Sequence, residues 1–266
     1  MLAAAESVTV PTSDAQQGAR MPERRRFPPV TSDAVAPALV SATPALAVPS
    51  RPEPLTPSRN WAGYVVYRGG PFTQVCATWV HPTVACTGPG HSAVSIWVGL
   101  GGIATSPTLE QTGTLASCQD GKAFHSNWYE MLPADVVFYN DPVRAGDELW
   151  AQVTFLGQDT FELLLRNFTA GWMELTYAQH PDGPKPDRMS AEVIVEAPNG
   201  PSGYAPLADF GTVSLTSCMV DGQSIGSYAA RGDLMVNNME RDGIRLATAS
   251  GLNRDGTAFD VTWENP

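Results

Sequence analysis

Several common signatures are missing from this 266-residue chain, and each absence removes a class of function. Lysine occurs only at Lys122 and Lys185, and 16 basic residues face 27 acidic ones, for a formal net charge of −11. A chain of that sign lacks the basic footprint that nucleic acids and anionic membranes require, so neither is expected as a partner. No run approaches the ~18 apolar residues of a membrane-spanning helix. Cys76, Cys86, Cys118 and Cys218 form no Cys-x-x-Cys pair, and His81, His91, His125 and His180 form no His-Glu-x-x-His. No metal and no other cofactor is therefore implied. Asp-Thr-Gly and Asp-Ser-Gly are absent. Asp209-Phe210-Gly211 stands without the other kinase segments, and Arg231-Gly232-Asp233 reads as a β-turn.

Aromatic residues are also scarce at one end. Residues 1–57 hold ten prolines and one aromatic, Phe27, with no Trp, Tyr or Cys. Such a segment buries too little apolar surface to offset its chain entropy. The expected organisation is thus a Pro-rich tail, linker or pro-segment over 1–57 and one folded domain over 58–266. Arg24-Arg25-Arg26 is a processing site or, more simply, a solvated basic patch. Leu2-Ala3-Ala4-Ala5 is too short for the apolar core of a secretory signal, so no export signal is visible. Four cysteines allow three pairings. Cys86–Cys118 is preferred and Cys76–Cys218 comes second; four buried thiols in a reducing compartment are the alternative.

What the folded part does contain is alternation. Trp61, Gly63, Val65 and Tyr67 alternate with Ala62, Tyr64 and Val66. Leu149–Phe155, Phe161–Arg166 and Phe259–Trp263 repeat the pattern, which is that of half-buried strands. Turn signals such as Arg68-Gly69-Gly70-Pro71, Asp182-Gly183-Pro184 and Asp221-Gly222 separate them. The only helical candidate is a short turn around Ser224–Ala230. The expected fold is all-β, an antiparallel sandwich of two curved sheets with a lectin-like architecture.

Polar residues interrupt three apolar segments. In Ala191-Glu192-Val193-Ile194-Val195-Glu196 the period of two turns Glu192, Ile194 and Glu196 one way and the valines the other. With the valines in the core, two carboxylates occupy the open face; an ordinary solvated face would look the same. Ser95–Gly102 with Leu109–Thr114, and Asn127–Pro133, are the other two.

Together with Ser58-Arg59-Asn60-Trp61-Ala62-Gly63-Tyr64, the segments Trp97-Val98-Gly99, Gln111-Thr112-Gly113, Trp128-Tyr129-Glu130 and Ala191–Glu196 follow the order and approximate spacing of the glutamic peptidases, or eqolisins, and the chain resembles that family over roughly 58–266. The resemblance implies an acid endopeptidase whose catalytic pair is Gln111 and Glu196, with Trp61 and Glu130 lining the cleft. Trp97 and Glu192 are added as candidate substrate-binding residues. A polypeptide substrate, a monomer and secretion are expected. Two departures stand out: Gly101 and Ser126 occupy positions where some fungal members carry an acid. A glutamate can act first as base and then as acid, and a glutamine amide can donate to an oxyanion. The rival reading is a glycoside hydrolase using Glu192 with Glu196, or a non-catalytic carbohydrate-binding module. Ile194 stands where such hydrolases carry an Asp.

Overall fold

The computed structural model describes residues 55–103, 106–200 and 203–264. Among them the chain forms eighteen strands and one helical turn. The first seven strands are β1 (Leu55–Ser58), β2 (Trp61–Val66), β3 (Gln74–Val80), β4 (His91–Gly101), β5 (Leu109–Gln119), β6 (Lys122–Leu132) and β7 (Val137–Phe138). Then come β8 (Glu148–Gly157), β9 (Thr160–Asn167), β10 (Trp172–Gln179), β11 (Ala191–Glu196), β12 (Asn199–Gly200) and β13 (Gly203–Tyr204). The chain closes with β14 (Thr212–Val220), β15 (Gln223–Ser224), α1 (Gly226–Ala229), β16 (Leu234–Arg241), β17 (Ile244–Ala249) and β18 (Phe259–Trp263). The helical turn α1 falls within the expected Ser224–Ala230. No described helix is long and apolar enough to cross a membrane. Of residues 1–57 only Leu55–Pro57 are described, and with Ser58 they form β1, parallel to β16. The arginine run at 24–26 lies outside the described residues.

Hydrogen bonding runs unbroken along β10-β9-β8-β3-β14-β18-β17-β16-β2-β11-β4-β5-β6-β7. The path turns over through β17 and β18, so that β3, β8 and β9 lie against β4, β5 and β11. The two layers of the sandwich are thus joined by one continuous ladder, with β12 and β13 forming a separate two-stranded sheet. Val75, Ala77 and Trp79 of β3 and Leu149, Ala151 and Val153 of β8 meet Ile96, Val98, Val193 and Val195 in the main core. The alternation of each strand fixes which side chains enter it. A second apolar cluster, Val65, Trp97, Leu109, Trp128 and Ile194, covers the opposite face of β2, β11, β4, β5 and β6.

The preferred disulfide, Cys86–Cys118, is formed and ties the segment before β4 to β5. The second expected pairing is corrected: Cys76 and Cys218 are free and buried. Cys76 alternates with the core residues Val75 and Ala77 and pairs in register with Met219, whereas Cys218 enters the core one residue earlier, beside a bulge. The two thiols thus leave their strand pair on opposite faces, a geometry no disulfide can close.

Gly113 lies opposite Trp97 in the β4–β5 register. A Cβ there would stand 2.2 Å from the Ile96 carbonyl oxygen and 2.6 Å from Trp97 Cβ. Gly113→Ala is expected to lower stability by about 1–3 kcal/mol, because overpacking forces backbone to move. A thermal melt checks this; an unchanged Tm would mean the strands yield freely.

Candidate active site

Five neighbouring strands bring every polar residue singled out in the sequence onto one face. The registers align three rows across β2, β11, β4, β5 and β6. The first is Trp61–Glu196–Ser95–Leu115–Ser126, the second Gly63–Ile194–Trp97–Gly113–Trp128, and the third Val65–Glu192–Gly99–Gln111–Glu130. Alternate residues share a face, so all fifteen positions point away from the main core.

Glu196 ends β11, at the edge of this face, and is half-buried. Asn60 Nδ2 donates to its Oε1 at 2.7 Å, and Trp97 Nε1 donates to its Oε2 at 2.8 Å. The Trp61 and Trp97 rings meet edge to face with centroids 5.1 Å apart. Burial pushes the carboxyl up to about 7; the donors Trp97, Trp61 and Asn60 pull it down, and the charge of Glu130 adds to the rise. Desolvation disfavours the ionised form more than these hydrogen bonds favour it. Asn60 is the residue that sequence reasoning quoted but gave no role. Its signal was its place beside Trp61, at the point where the chain enters β2.

Gln111 is 5% exposed, and its Nε2 donates to Glu130 Oε2 at 2.6 Å. Gln111 Oε1 is buried and has no hydrogen-bond donor. Glu130, half-buried on β6, is also raised, by desolvation first and by Asp135, against the hydrogen bond from Gln111. Glu130 links the two ends of the site: it accepts from Gln111 and opposes the charge of Glu196. Strand β4 lies between Gln111 and Glu196, whose rows are two apart.

Two of the expected substrate contacts are corrected. Trp97 is 0% exposed, so it offers no wall to a substrate; its indole N–H orients Glu196 instead. Glu192 is likewise 0% exposed. Desolvation raises its carboxyl well above the ordinary range, Glu110 and Asp187 raise it further, and Ser190 opposes them. Periodicity assigned Glu192 to the correct face but gave no depth. The strand end is covered, because the chain turns back after Gly101 and packs Leu109 over it. Trp61 and Glu130 remain accessible on the face. A glycoside hydrolase built on Glu192 and Glu196 would need both carboxyls at the substrate. Glu192 cannot meet that need, and Ile194 between them is fully buried.

The two departures have a local explanation. Gly101 has φ +89°, and a Cβ there would stand 2.8 Å from the Thr108 carbonyl oxygen, with Asp187 Oδ1 3.6 Å away. Backbone and the β10–β11 loop thus occupy the space a side chain would take. Ser126 stands at the far end of the Glu196 row and leaves that row with a single carboxyl.

Comparisons with known sequences and structures bear on the family and the fold. The model of the Peptidase A4 family matches residues 59–263. The chain is 27% identical over 213 residues to Aspergillopepsin-2 of Aspergillus niger, covering 73% of this chain and 74% of that protein. Its fold is similar to scytalido-glutamic peptidase bound to a transition-state analogue inhibitor, with a TM-score of 0.67, 23% identity, and coverage of 79% of this chain and all of the other. It is also similar to aspergilloglutamic peptidase from Aspergillus niger, with a TM-score of 0.57, 25% identity, and coverage of 65% and 99%.

Proposed function

This chain belongs to the Peptidase A4 family, the glutamic endopeptidases, and from that membership we propose that Glu196 and Gln111 carry out its peptide hydrolysis. Glu196 takes a proton from water as the water oxygen bonds to the scissile carbonyl carbon. Gln111 Nε2–H donates to the oxyanion that forms. The proton on Glu196 then passes to the amide nitrogen, the C–N bond breaks, and the carboxylate is restored. One titrating group serves twice, and the glutamine cannot titrate.

The observation that carries this reading is the Glu196 carboxyl itself, half-buried at the edge of the face with an N–H donor fixed on each oxygen. Fixed donors hold a reacting carboxylate without reorganisation during the reaction. The Cys86–Cys118 disulfide supports secretion, since such bonds persist in oxidising compartments. A single folded domain working as a monomer on unfolded polypeptide is the simplest form consistent with this site.

Gln111→Ala is expected to lower kcat by about 10²–10³-fold with KM nearly unchanged, because an oxyanion donor acts in the transition state. Digestion of acid-denatured haemoglobin at acid pH measures it. A fully active Gln111→Ala enzyme would defeat the reading.

Glu196 also poses a problem. Raised to about 7, it is mostly protonated in acid while the cleft is empty, yet it must be ionised to act as base. The charge on Glu130 is one cause of that rise, so the state of Glu130 bears directly on the chemistry.

A further inference from the structure

Two segments from distant parts of the chain border the Glu196 carboxyl. The bend between β1 and β2 carries Asn60, whose Nδ2 donates to Glu196 Oε1 at 2.7 Å. Beyond β11 the chain forms the hairpin of β12 and β13, closed where Ala205 N donates to the Pro198 carbonyl oxygen at 2.9 Å. Inside the bend, Ser58 Oγ accepts from the backbone N–H of Trp61 at 3.1 Å. The Arg59 carbonyl oxygen is held by a different part of the chain: Arg241 Nε donates to it at 2.8 Å. The same guanidinium donates through Nη1 to the Ala205 carbonyl oxygen at 3.0 Å, and its carbon stands 5.2 Å from the centroid of the Tyr204 ring. Nη2 is buried without an acceptor, so Nε and Nη1 hold the group.

Resting on the Glu196–Gln111 reading, we propose that Arg241 is a positioning residue for the reacting carboxyl: by holding the Arg59 and Ala205 carbonyls together, it fixes the bend that delivers Asn60 to Glu196 Oε1. Its own backbone is anchored, since Arg241 pairs with Ile244 across the turn from β16 to β17. A planar guanidinium presents its donors in fixed directions and suits two acceptors at once, whereas a lysine ammonium is a single point on a flexible stem. The choice of acceptor matters as well. Main-chain carbonyls do not titrate and the guanidinium keeps its proton, so the grip is the same in acid as at neutrality. An ion pair to a carboxylate, such as the exposed Arg59–Asp242 contact at 3.7 Å, weakens as acid neutralises carboxylates.

The consequence for Glu196 runs through Asn60. The carbonyl that Arg241 grips belongs to the peptide group whose N–H is that of Asn60. The next peptide group is held as well, because Ala197 N donates to the Asn60 carbonyl oxygen at 2.9 Å. Asn60 thus stands between two pinned peptides, and its side chain has one direction left. A hydrogen bond weakens steeply as its angle opens, so a small rotation of the first peptide costs Glu196 a donor. Trp97 on β4, Trp61 on β2 and Asn60 favour the ionised carboxyl, while desolvation and the charge of Glu130 on β6 oppose them. Without Asn60 the carboxyl takes up its proton at higher pH, and the base form that hydrolysis needs becomes scarcer in acid.

The test reads kcat and KM against pH on a chromogenic peptide for the wild type, Arg241→Met, Arg241→Lys, Asn60→Ala and the double variant Arg241→Met with Asn60→Ala. Rates are compared only where near-UV circular dichroism matches the wild type. Arg241→Met lowers kcat at the optimum by about 10–10²-fold with KM changed far less, and moves the acid limb of the profile up by about half a pH unit or more. Arg241→Lys, able to serve one carbonyl at a time, moves the limb the same way by less. Asn60→Ala moves it as Arg241→Met does, and adding Arg241→Met to Asn60→Ala lowers kcat by less than about threefold further. An Arg241→Met enzyme that melts earlier but keeps its acid limb overturns the proposal, because a clamp that serves the fold alone would do the same. So do an acid limb that stays in place in Asn60→Ala, and losses that multiply in full in the double variant. If Arg241→Met fails to fold, Arg241→Lys decides alone, and a limb at the wild-type pH overturns the proposal. A Glu196→Gln enzyme that keeps its activity is a separate result, and it removes the underlying dyad rather than the role of Arg241.

Discussion

Glu196→Gln is expected to lower kcat by about 10⁴-fold, the upper end of what one general acid–base group contributes. The change is nearly isosteric and removes the group on which both proton transfers depend. Its structural side effect can be separated from the chemical one. Asn60 Nδ2–H and Trp97 Nε1–H both point at Glu196, one at each oxygen. A glutamine can accept from only one of them, and its NH₂ group then faces the other donor. One buried donor is left unpaired, at a cost of about 1–3 kcal/mol. The melting temperature should therefore fall by several degrees while the fold persists. KM should change far less than kcat, because the lost interaction belongs to the transition state. Steady-state kinetics on a chromogenic peptide, with circular dichroism as the control, checks both parts. A variant retaining a tenth or more of wild-type kcat would remove Glu196 from the chemistry.

The sequence exposes the faces of this fold but not its depths. The alternation in Trp61–Val66 and Ala191–Glu196 predicts which residues share a side, because a strand has a period of two and nothing else to decide. Five short motifs then converge in space, since their strands pair in register across 137 residues of sequence between Ser58 and Glu196 and beyond. Burial is not local information. Trp97 and Glu192 lie on the expected face yet have no exposed surface, because Trp61, Leu109 and Trp128 pack with Trp97, and the turn after Gly101 and the chain near Asp187 lie at the Glu192 end. Cys76 and Cys218 illustrate the same limit: a bulge between Thr216 and Met219 rotates one thiol to the far side of its strand pair. The pairs Glu110–His180 and His81–His125 were equally illegible. Each joins strands or loops far apart in the chain, and neither member carries a motif.

Those buried pairs set the expected response of stability to pH. Glu110 is 0% exposed, with His180 Nε2 at 3.2 Å, and its carboxyl is raised to about 8 by desolvation and by Asp187, against Arg188. Glu192 is raised as well, by desolvation first. In the unfolded chain both titrate near the ordinary carboxyl value of about 4.3. Above that pH the unfolded state releases protons that the folded state keeps, so stability declines as pH climbs from about 4.3 toward 8. His81 acts in the opposite sense. It is 1% exposed, bonded to His125 Nδ1 and Thr114 Oγ1, each at 3.0 Å, and its pKa is lowered to about 3 by desolvation and by His125, against Asp147. Below its ordinary value of about 6.5 the unfolded state takes up a proton that the folded state refuses, and stability declines as pH falls toward 3. Between these values the raised carboxyls Glu110, Glu130, Glu192 and Glu196 outweigh the lowered histidines His81 and His125, so the maximum lies near pH 4–5, in the range where an acid peptidase works. Near neutral pH the loss amounts to several kcal/mol, a large fraction of an ordinary domain's stability. Glu192→Gln removes one of these raised carboxyls. It should make the fall in Tm between pH 4 and pH 7.5 smaller than in the wild type by several degrees, as a domain of this size gains roughly 2–4 °C per kcal/mol. Calorimetry across pH 3–8 checks the shape. A wild-type Tm that rises steadily from pH 4 to 8, or a Glu192→Gln curve parallel to it, would mean that neither carboxyl is kept neutral by the fold.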